Sequence, residues 1–251
     1  MPVPSISLRA GFRWTEIANQ PFVEPTSTLV LTSSSSRFVD IRVFHNVSTP
    51  DDPNLPRTCG LLAHLDWAFA GTSSSETILD KDGEVTLARW EHWIDSRVVL
   101  GAKPQDDSGQ MYTLKDGRTL EKGYMNLTIN GKEYSYPYEE LWEDLTPDAT
   151  DPKDSHKVAI VATMEDESRE ARGMIVRVGQ WVQGIITKSG EISVERWRWN
   201  DQDKNFMRIL KIGRQFLPCL IAFEEKGPSA VGKKVEFDGM NWEVEERYAW
   251  E

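Results

Sequence analysis

Few side chains in this sequence are suited to catalysis or metal binding, and they are widely spaced. Cys59 and Cys219 are the two cysteines and are too far apart to indicate a disulfide framework or a four-ligand zinc site. Cys59 follows Pro56 and Arg57 with no base indicated nearby, so a free thiol is expected rather than a nucleophile. Two of the four histidines lie in loop-like sequence, and a three-histidine metal site is therefore not expected.

Motifs of the common enzyme classes are absent from the sequence. There is no Gly-x-Ser-x-Gly elbow, phosphate-binding loop, dinucleotide fingerprint or His-Glu-x-x-His pair. Carboxylates cluster at Asp51–Asp52, Asp106–Asp107 and Glu165–Glu167, but such runs are typical of solvated loops, and no pair is singled out for acid–base catalysis. The sequence therefore predicts neither a cofactor nor a metal.

The unusual feature is the aromatic content, with ten tryptophans, six tyrosines and nine phenylalanines. On strands, such side chains can simply fill a core. They can also line a cavity, because the interior of an eight-stranded barrel holds either side chains or one small ligand. On the second interpretation, the expected wall residues are Trp67, Phe69, Trp90, Trp93, Tyr112 and Met125. The expected hydrogen-bond donors, which are the catalytic candidates, are His64, His92 and Tyr136.

Length and charge restrict the classes of function. The chain has 251 residues and a formal net charge of −11, which disfavours binding to nucleic-acid phosphates or to an anionic membrane. The sequence starts without the apolar segment of a secretory signal and contains no apolar run of about 18 residues. We expect a cytoplasmic protein with no nucleic-acid or membrane partner, whose acidic surface is available to a protein partner.

Strand patterns and turn residues predict an all-β fold. Glycines preceded by Asp, Asn or Ser recur between β-rich runs, as two-residue hairpin turns require. Segment 138–145 instead has the spacing of a short helix, and 205–212 is ambiguous between helix and strand. The predicted strands are 29–31, 38–44, 65–70, 84–95, 111–114, 125–129 and 132–138, followed by 158–162, 174–178, 181–187, 192–199, 217–223, 233–237 and 241–248.

Side-chain alternation on two of these strands bears on a binding site. On 84–95, the inward set is either Trp90 with His92 or Arg89 with Trp93, because a slip of one residue exchanges the two faces. On 65–70, the two aromatic residues at 67 and 69 share a face, while small alanines occupy the other. This pattern predicts that both aromatic side chains are buried under a tightly covered opposite face.

An acidic segment with two prolines nearby divides the chain. We expect an exposed linker at 148–156 between an N-terminal domain, 1–147, and a C-terminal domain, 157–251. Each part has enough strands for a closed or nearly closed antiparallel barrel. Trp197-Arg198-Trp199 indicates a packed second core, so the pocket is assigned to the first domain. The proline-rich loop 45–57 is either a lid or a disordered insert.

Three segments carry a family resemblance: Asp66–Thr72 (DWAFAGT), Gly179–Gly184 (GQWVQG) and Gly239–Val244 (GMNWEV). With weaker matches at Trp93–Asp95 and Glu140–Trp142, they resemble, in the same order, the fungal Hri family. The resemblance implies two consecutive lipocalin-like β-barrels in a cytosolic protein. It implies little chemistry, because the yeast member is known as a protein that associates with a casein kinase and has no established activity.

Two functions of different classes follow from these observations. One is a cofactor-independent pericyclase of fungal secondary metabolism, of the hetero-Diels–Alder type, acting on an apolar or aromatic small molecule. Such a reaction needs two oriented partners and one or two fixed donors, but no nucleophile or metal. The link to lipocalin-like barrels is an analogy between folds. The alternative is a non-catalytic interaction protein whose acidic surface contacts a kinase or another basic partner.

Overall fold

The computed structural model describes residues 2–45, 57–60, 62–80, 83–102, 104, 106–151, 155–223 and 230–251. Within these ranges the regular structure consists of sixteen β-strands and three short 3-10 segments, which confirms the all-β fold class. None of the helical segments in the described ranges is long and apolar enough to cross a membrane. Most of the proline-rich loop, including Asp51 and Asp52, lies outside the described residues, as does the side chain of Cys59.

The first half of the chain forms a closed barrel of eight antiparallel strands. The strands follow one another in sequence order, and the last pairs with the first, so the barrel has no free edge. Its strands are β1 (Ser5–Trp14), β2 (Thr26–Thr32), β3 (Arg37–Phe44), β5 (Leu65–Asp80), β6 (Gly83–Asp95), β7 (Asp107–Thr113), β8 (Thr119–Ile129) and β9 (Lys132–Leu145), whereas β4 (Arg57–Gly60) lies outside it.

The second half contributes the strands β10 (Lys157–Asp166), β11 (Ala171–Val178), β12 (Trp181–Lys188), β13 (Glu191–Asn200), β14 (Asn205–Ile212), β15 (Lys234–Phe237) and β16 (Met240–Trp250). They form an eight-stranded sheet with β4 in the order β15-β16-β10-β11-β12-β13-β14-β4. Strand β4 comes from the first half of the chain and pairs in parallel with β14, while the other pairs are antiparallel. Across the described residues β15 and β4 form the two edges, so this sheet is open.

Two local expectations from the sequence are wrong. Segment 138–145, expected as a short helix, is the end of β9, because Tyr138 and Trp142 alternate into the barrel interior. Segment 217–223, expected as a strand, contains the 3-10 segment Cys219–Ala222, which packs into the core of the second sheet. In both places tertiary packing overrides the local pattern.

The two sheets share an apolar core that lies outside the first barrel. Strand β3 shows how this arises, because its side chains alternate strictly between the two faces. Val39, Ile41 and Val43 point towards the second sheet, where they belong to the shared core. The polar members of the opposite face, Asp40 and Arg42, point into the barrel. The shared core also contains Leu29, Leu31, Ala68 and Ala70 from the first barrel and Met174, Val176, Val178 and Ile185 from the second sheet.

Two buried polar side chains of the second sheet fix its position against the barrel. The Gln183 Nε2 amide donates to the carbonyls of Leu29 and Val39, each at 2.9 Å. Arg196 Nε donates to Gln183 Oε1 at 2.7 Å, and its Nη2 donates to the Ile41 carbonyl at 2.8 Å. Burial lowers the pKa of Arg196 to about 10, so the guanidinium remains charged at neutral pH.

The turn between β2 and β3 is held by one carboxylate of the second sheet. Glu246, on β16, accepts hydrogen bonds from the hydroxyls of Ser33, Ser34 and Ser35 and from the backbone N–H groups of Ser34 and Ser35. Burial opposes ionisation of Glu246, but these hydrogen bonds outweigh it and lower the pKa of the carboxyl. The second sheet therefore holds a turn at the end of the barrel.

A β-bulge in β6 decides which face of that strand is inside. The register between β5 and β6 shifts between Ala70 and Gly71, which leaves Trp93 as the extra residue. Trp90 and His92 consequently face the interior, whereas the Trp93 ring packs outward against the shared core. The bulge thus selects between the two inward sets that the sequence left open.

The bulge predicts a strong requirement for glycine at position 71. A Cβ atom there would lie 1.8 Å from the carbonyl oxygen of Glu91, which is backbone and cannot rotate away. We expect Gly71→Ala to lower the free energy of unfolding by about 2–4 kcal/mol in urea denaturation. Thr77→Ala, an exposed change on the same strand, is the control. A loss at Gly71→Ala no larger than that of the control would contradict the bulge geometry.

Candidate functional site

The interior of the first barrel contains a cavity of about 570 Å³, a size suited to one small molecule. Exposed Val3 and Tyr124 belong to its wall, so the cavity reaches solvent. The aromatic part of the wall includes Phe38, Trp67, Phe69, Trp90, Tyr138 and Trp142, and the hydroxyl-bearing part includes Ser5, Ser7, Ser33, Ser36, Ser73, Ser74 and Ser75.

A buried network of charged side chains connects three strands inside the barrel. Arg42 donates to Asp40 Oδ2 at 2.8 and 3.0 Å and to Glu140 Oε1 at 3.0 Å. Arg9 donates to the same Glu140 oxygen and, at 2.6 Å, to Glu24. Burial alone would lower the pKa of Arg42, but the carboxylates of Asp40 and Glu140 outweigh it and raise the pKa well above its usual value. Both arginines are therefore permanently charged.

His92 lies at the centre of a second cluster. Its ring stacks on Phe69 with centroids 4.2 Å apart, Nδ1 is 2.8 Å from Asp95 and Nε2 is 3.0 Å from Asp107. Trp67 Nε1 donates to the other Asp95 oxygen at 2.8 Å. Burial alone would lower the pKa of His92, but the two carboxylates outweigh it and raise the pKa to about 9. At neutral pH His92 is an imidazolium whose two N–H groups are both donated.

Glu121 is a carboxyl that titrates close to neutral pH. The Tyr138 hydroxyl donates to its Oε1 at 2.7 Å, and Trp142 Nε1 donates to its Oε2 at 2.9 Å. Burial, followed by the negative charge of Glu140, raises the pKa of Glu121 to about 8. Gly123 makes room for this arrangement, since a Cβ there would lie 2.5 Å from the Tyr138 hydroxyl oxygen.

Part of the predicted site is assembled around this cavity. Phe69 is buried as predicted, while Trp67 is half-buried because it lies at the cavity wall. The predicted residues that line the cavity are Trp67, Phe69, Trp90, His92 and Met125.

The other four predicted residues lie outside the cavity wall. Trp93 faces the second sheet because of the bulge. The Tyr112 hydroxyl lies 2.9 Å from a carboxylate oxygen on β5 and 2.9 Å from Gln110 Oε1. The ring of Tyr136 packs beside the end of β1. His64 ends a 3-10 segment, and its buried Nδ1 has no hydrogen-bond partner in the described part of the chain.

Apart from His92, the charged residues of the cavity wall are not among the site residues predicted from the sequence. Asp107 was expected in a solvated loop, but its carboxylate binds His92. Asp40 and Arg42 alternate with Val39 and Ile41 along β3, and that alternation was the available signal. Charged residues on a strand whose other face is aliphatic must face either solvent or one another.

Comparisons with known proteins point to one family. A family model described as Protein HRI1 matches residues 5–246. The curated relatives named Protein HRI1 from Saccharomyces cerevisiae strains Lalvin QA23, YJM789 and RM11-1a are each 25% identical over 246 residues, covering 90% of this chain and 93% of the relative. The crystal structure of Saccharomyces cerevisiae protein YLR301w is similar in fold, with a TM-score of 0.71 and 21% identity over 98% of this chain and 100% of that chain.

The His92 cluster predicts a loss of stability in mildly alkaline solution. The folded protein keeps the His92 proton up to a pKa of about 9, whereas an unfolded histidine has a pKa of about 6.5. The stabilisation is complete below the lower value and disappears as the pH rises through the upper one. We expect the contribution of His92 to the free energy of unfolding to fall by on the order of 2 kcal/mol between about pH 6.5 and 9.

His92→Gln retains hydrogen-bonding capacity but cannot titrate in this range, so its stability should depend less on pH. Urea denaturation of both proteins at several pH values makes the comparison. Glu121 also makes the folded state less stable as the pH rises, because its pKa is raised. Both proteins contain Glu121, so the difference between their curves reports His92. Parallel curves for the two proteins would show that His92 is not the group responsible.

Proposed function

Because this chain belongs to the Protein HRI1 family, we propose that it is a small-molecule-binding member of that family whose ligand occupies the first barrel. The observation that carries the proposal is the cavity of about 570 Å³, walled by aromatic rings and charged groups. Binding sites for small molecules combine apolar walls with a few fixed polar groups in this way.

The contrast with the second sheet supports this assignment. The face of that sheet opposite the shared core is covered by Trp242, Phe206 and Leu217 together with the segment Cys219–Ala222. A core packed in this way leaves little space for a ligand. In the first barrel, by comparison, indole and phenyl rings border open space, and the charged groups of the wall are held in place by one another.

A more specific candidate activity for the first barrel is that of a cofactor-independent pericyclase of the hetero-Diels–Alder type. Enclosure and orientation of two unsaturated partners support such a reaction, which also benefits from a donor that polarises a carbonyl. The N–H groups of His92 are occupied by Asp95 and Asp107, and the Tyr138 hydroxyl by Glu121. These hydrogen bonds favour ligand binding over catalysis as the role of the cavity.

Family membership supports a second candidate, a non-catalytic protein that docks on a basic face of a partner such as a kinase. The formal net charge of −11 and the exposed Glu165 and Glu167 provide an acidic surface for that encounter. Such binding weakens as salt is added and does not depend on the cavity. Variants that change only the cavity therefore separate the two candidates.

The test is an NMR screen of small aromatic fragments that follows the tryptophan indole N–H signals. We expect binding fragments to shift the signals of the cavity residues Trp67, Trp90 and Trp142. The signals of Trp197 and Trp242, in the second sheet, serve as internal references. Shifts confined to the references, or the absence of any binding, would contradict the proposal.

A cavity-filling variant supplies the matched control for this screen. Ala88 lines the cavity, whereas Ala249 is exposed on β16. We expect Ala88→Trp to weaken fragment binding by at least about tenfold, which corresponds to about 1.4 kcal/mol, and Ala249→Trp to leave it unchanged. Equal affinities in the two variants would place the fragments outside the barrel.

A further inference from the structure

We propose that the ligand of the first barrel is an organic cation, a protonated amine or amidine on a flat apolar body, whose head group donates to Asp40 Oδ1. The inference rests on the proposed function and specifies the chemical class of the ligand. Three features of the cavity carry it: a buried acceptor without a donor, an excess of carboxyl groups in the wall, and aromatic rings beside them.

The acceptor is one oxygen of Asp40. This side chain lines the cavity and is only 2% exposed. Its Oδ2 accepts two hydrogen bonds from Arg42, but Oδ1 has no partner among the described residues. A buried carboxylate oxygen without a donor is costly, and nearly all such atoms in folded proteins find a partner. A ligand N–H group in the adjacent space supplies one.

The charge of the wall sets the sign of the ligand. Among the described residues, six carboxyl side chains and three cationic ones line the cavity, and five of the six are carboxylates at pH 7 because burial keeps Glu121 mostly protonated. Each of the three cations is already paired, Arg42 with Asp40 and Glu140, His92 with two aspartates, and Arg97 with an aspartate at 2.9 Å. The carboxyl residues are Asp40, Asp95, Asp106, Asp107, Glu121 and Glu140. An anionic ligand would meet this acidic wall with no unpaired cation from the described residues to bind it, whereas a cationic ligand is attracted to the wall.

The aromatic rings determine the rest of the ligand. Trp90, Phe38 and Trp142 line the cavity on β6, β3 and β9. Flat apolar groups pack well against such rings, and a cation next to an indole face gains further attraction from the ring quadrupole. One face of Trp67 is already occupied, because the Arg97 guanidinium lies 4.4 Å from its ring centroid. Trp90 is therefore the expected platform.

Three probes of nearly equal shape test the inference: phenethylammonium, 2-phenylethanol and 3-phenylpropionate. Each is titrated into the full-length protein at pH 7, with affinity measured from the tryptophan indole signals. We expect the ammonium to bind about tenfold more tightly than the alcohol, a factor typical of one desolvated charge contact. The carboxylate is expected not to bind at the concentrations used for the other two.

Variants of the wall test the assigned acceptor. Asp40→Asn keeps the shape of the side chain and removes its charge, so the ammonium should lose its advantage over the alcohol. If Asp40→Asn does not fold, Asp107→Asn takes its place. It removes one negative charge from the wall at a half-buried position and should lower the advantage of the ammonium severalfold. The control is Asp116→Asn, the same chemical change in an exposed turn that pairs with Arg118, which should alter neither affinity.

The possible outcomes separate the inference from the proposed function. If the alcohol or the carboxylate binds the cavity as tightly as the ammonium, or if the preference survives in both wall variants, the cation assignment is overturned and small-molecule binding stands. If none of the probes binds while neutral fragments still shift the cavity tryptophans, the same conclusion holds. If neither probes nor fragments reach the cavity, both proposals fail.

Discussion

Charged side chains inside the first barrel must neutralise one another, because an unpaired buried charge is strongly destabilising. Glu140 on β9 meets this requirement for Arg9 on β1 and Arg42 on β3, so one carboxylate ties three strands together from within. A barrel stabilised in this manner cannot be filled with aliphatic side chains. The cavity of about 570 Å³ lies beside this network, with Asp40, Arg42 and Glu140 in its wall.

The polar interior also explains why the two halves of the chain depend on each other. Where a strand points its charged side chains into the barrel, its apolar side chains, such as Val39 and Ile41, point outward. These apolar side chains need a second apolar surface to cover them. The second sheet provides it, and Gln183 and Arg196 satisfy backbone carbonyls within the contact. The opposite side of that sheet is closed by Trp242 and the residues around it. The larger open space is thus left in the first barrel.

The sequence predicted the all-β class and most of the strands, because turn residues and period-two alternation are local signals. The placement of Trp93 depended on a bulge set by the close approach of Gly71 to another strand, which no local pattern encodes. The charged wall was missed for a related reason. Asp107 looks like a loop residue in sequence, and only the closed barrel brings it to His92.

The most direct test of the account is a high-resolution crystal structure of the full chain with phenethylammonium. We expect density for the probe inside the first barrel, with the ammonium nitrogen about 2.7–3.2 Å from Asp40 Oδ1 and the phenyl ring against Trp90. A structure in which the cavity is filled by protein side chains, or in which the probe lies only on the outer surface, would contradict it.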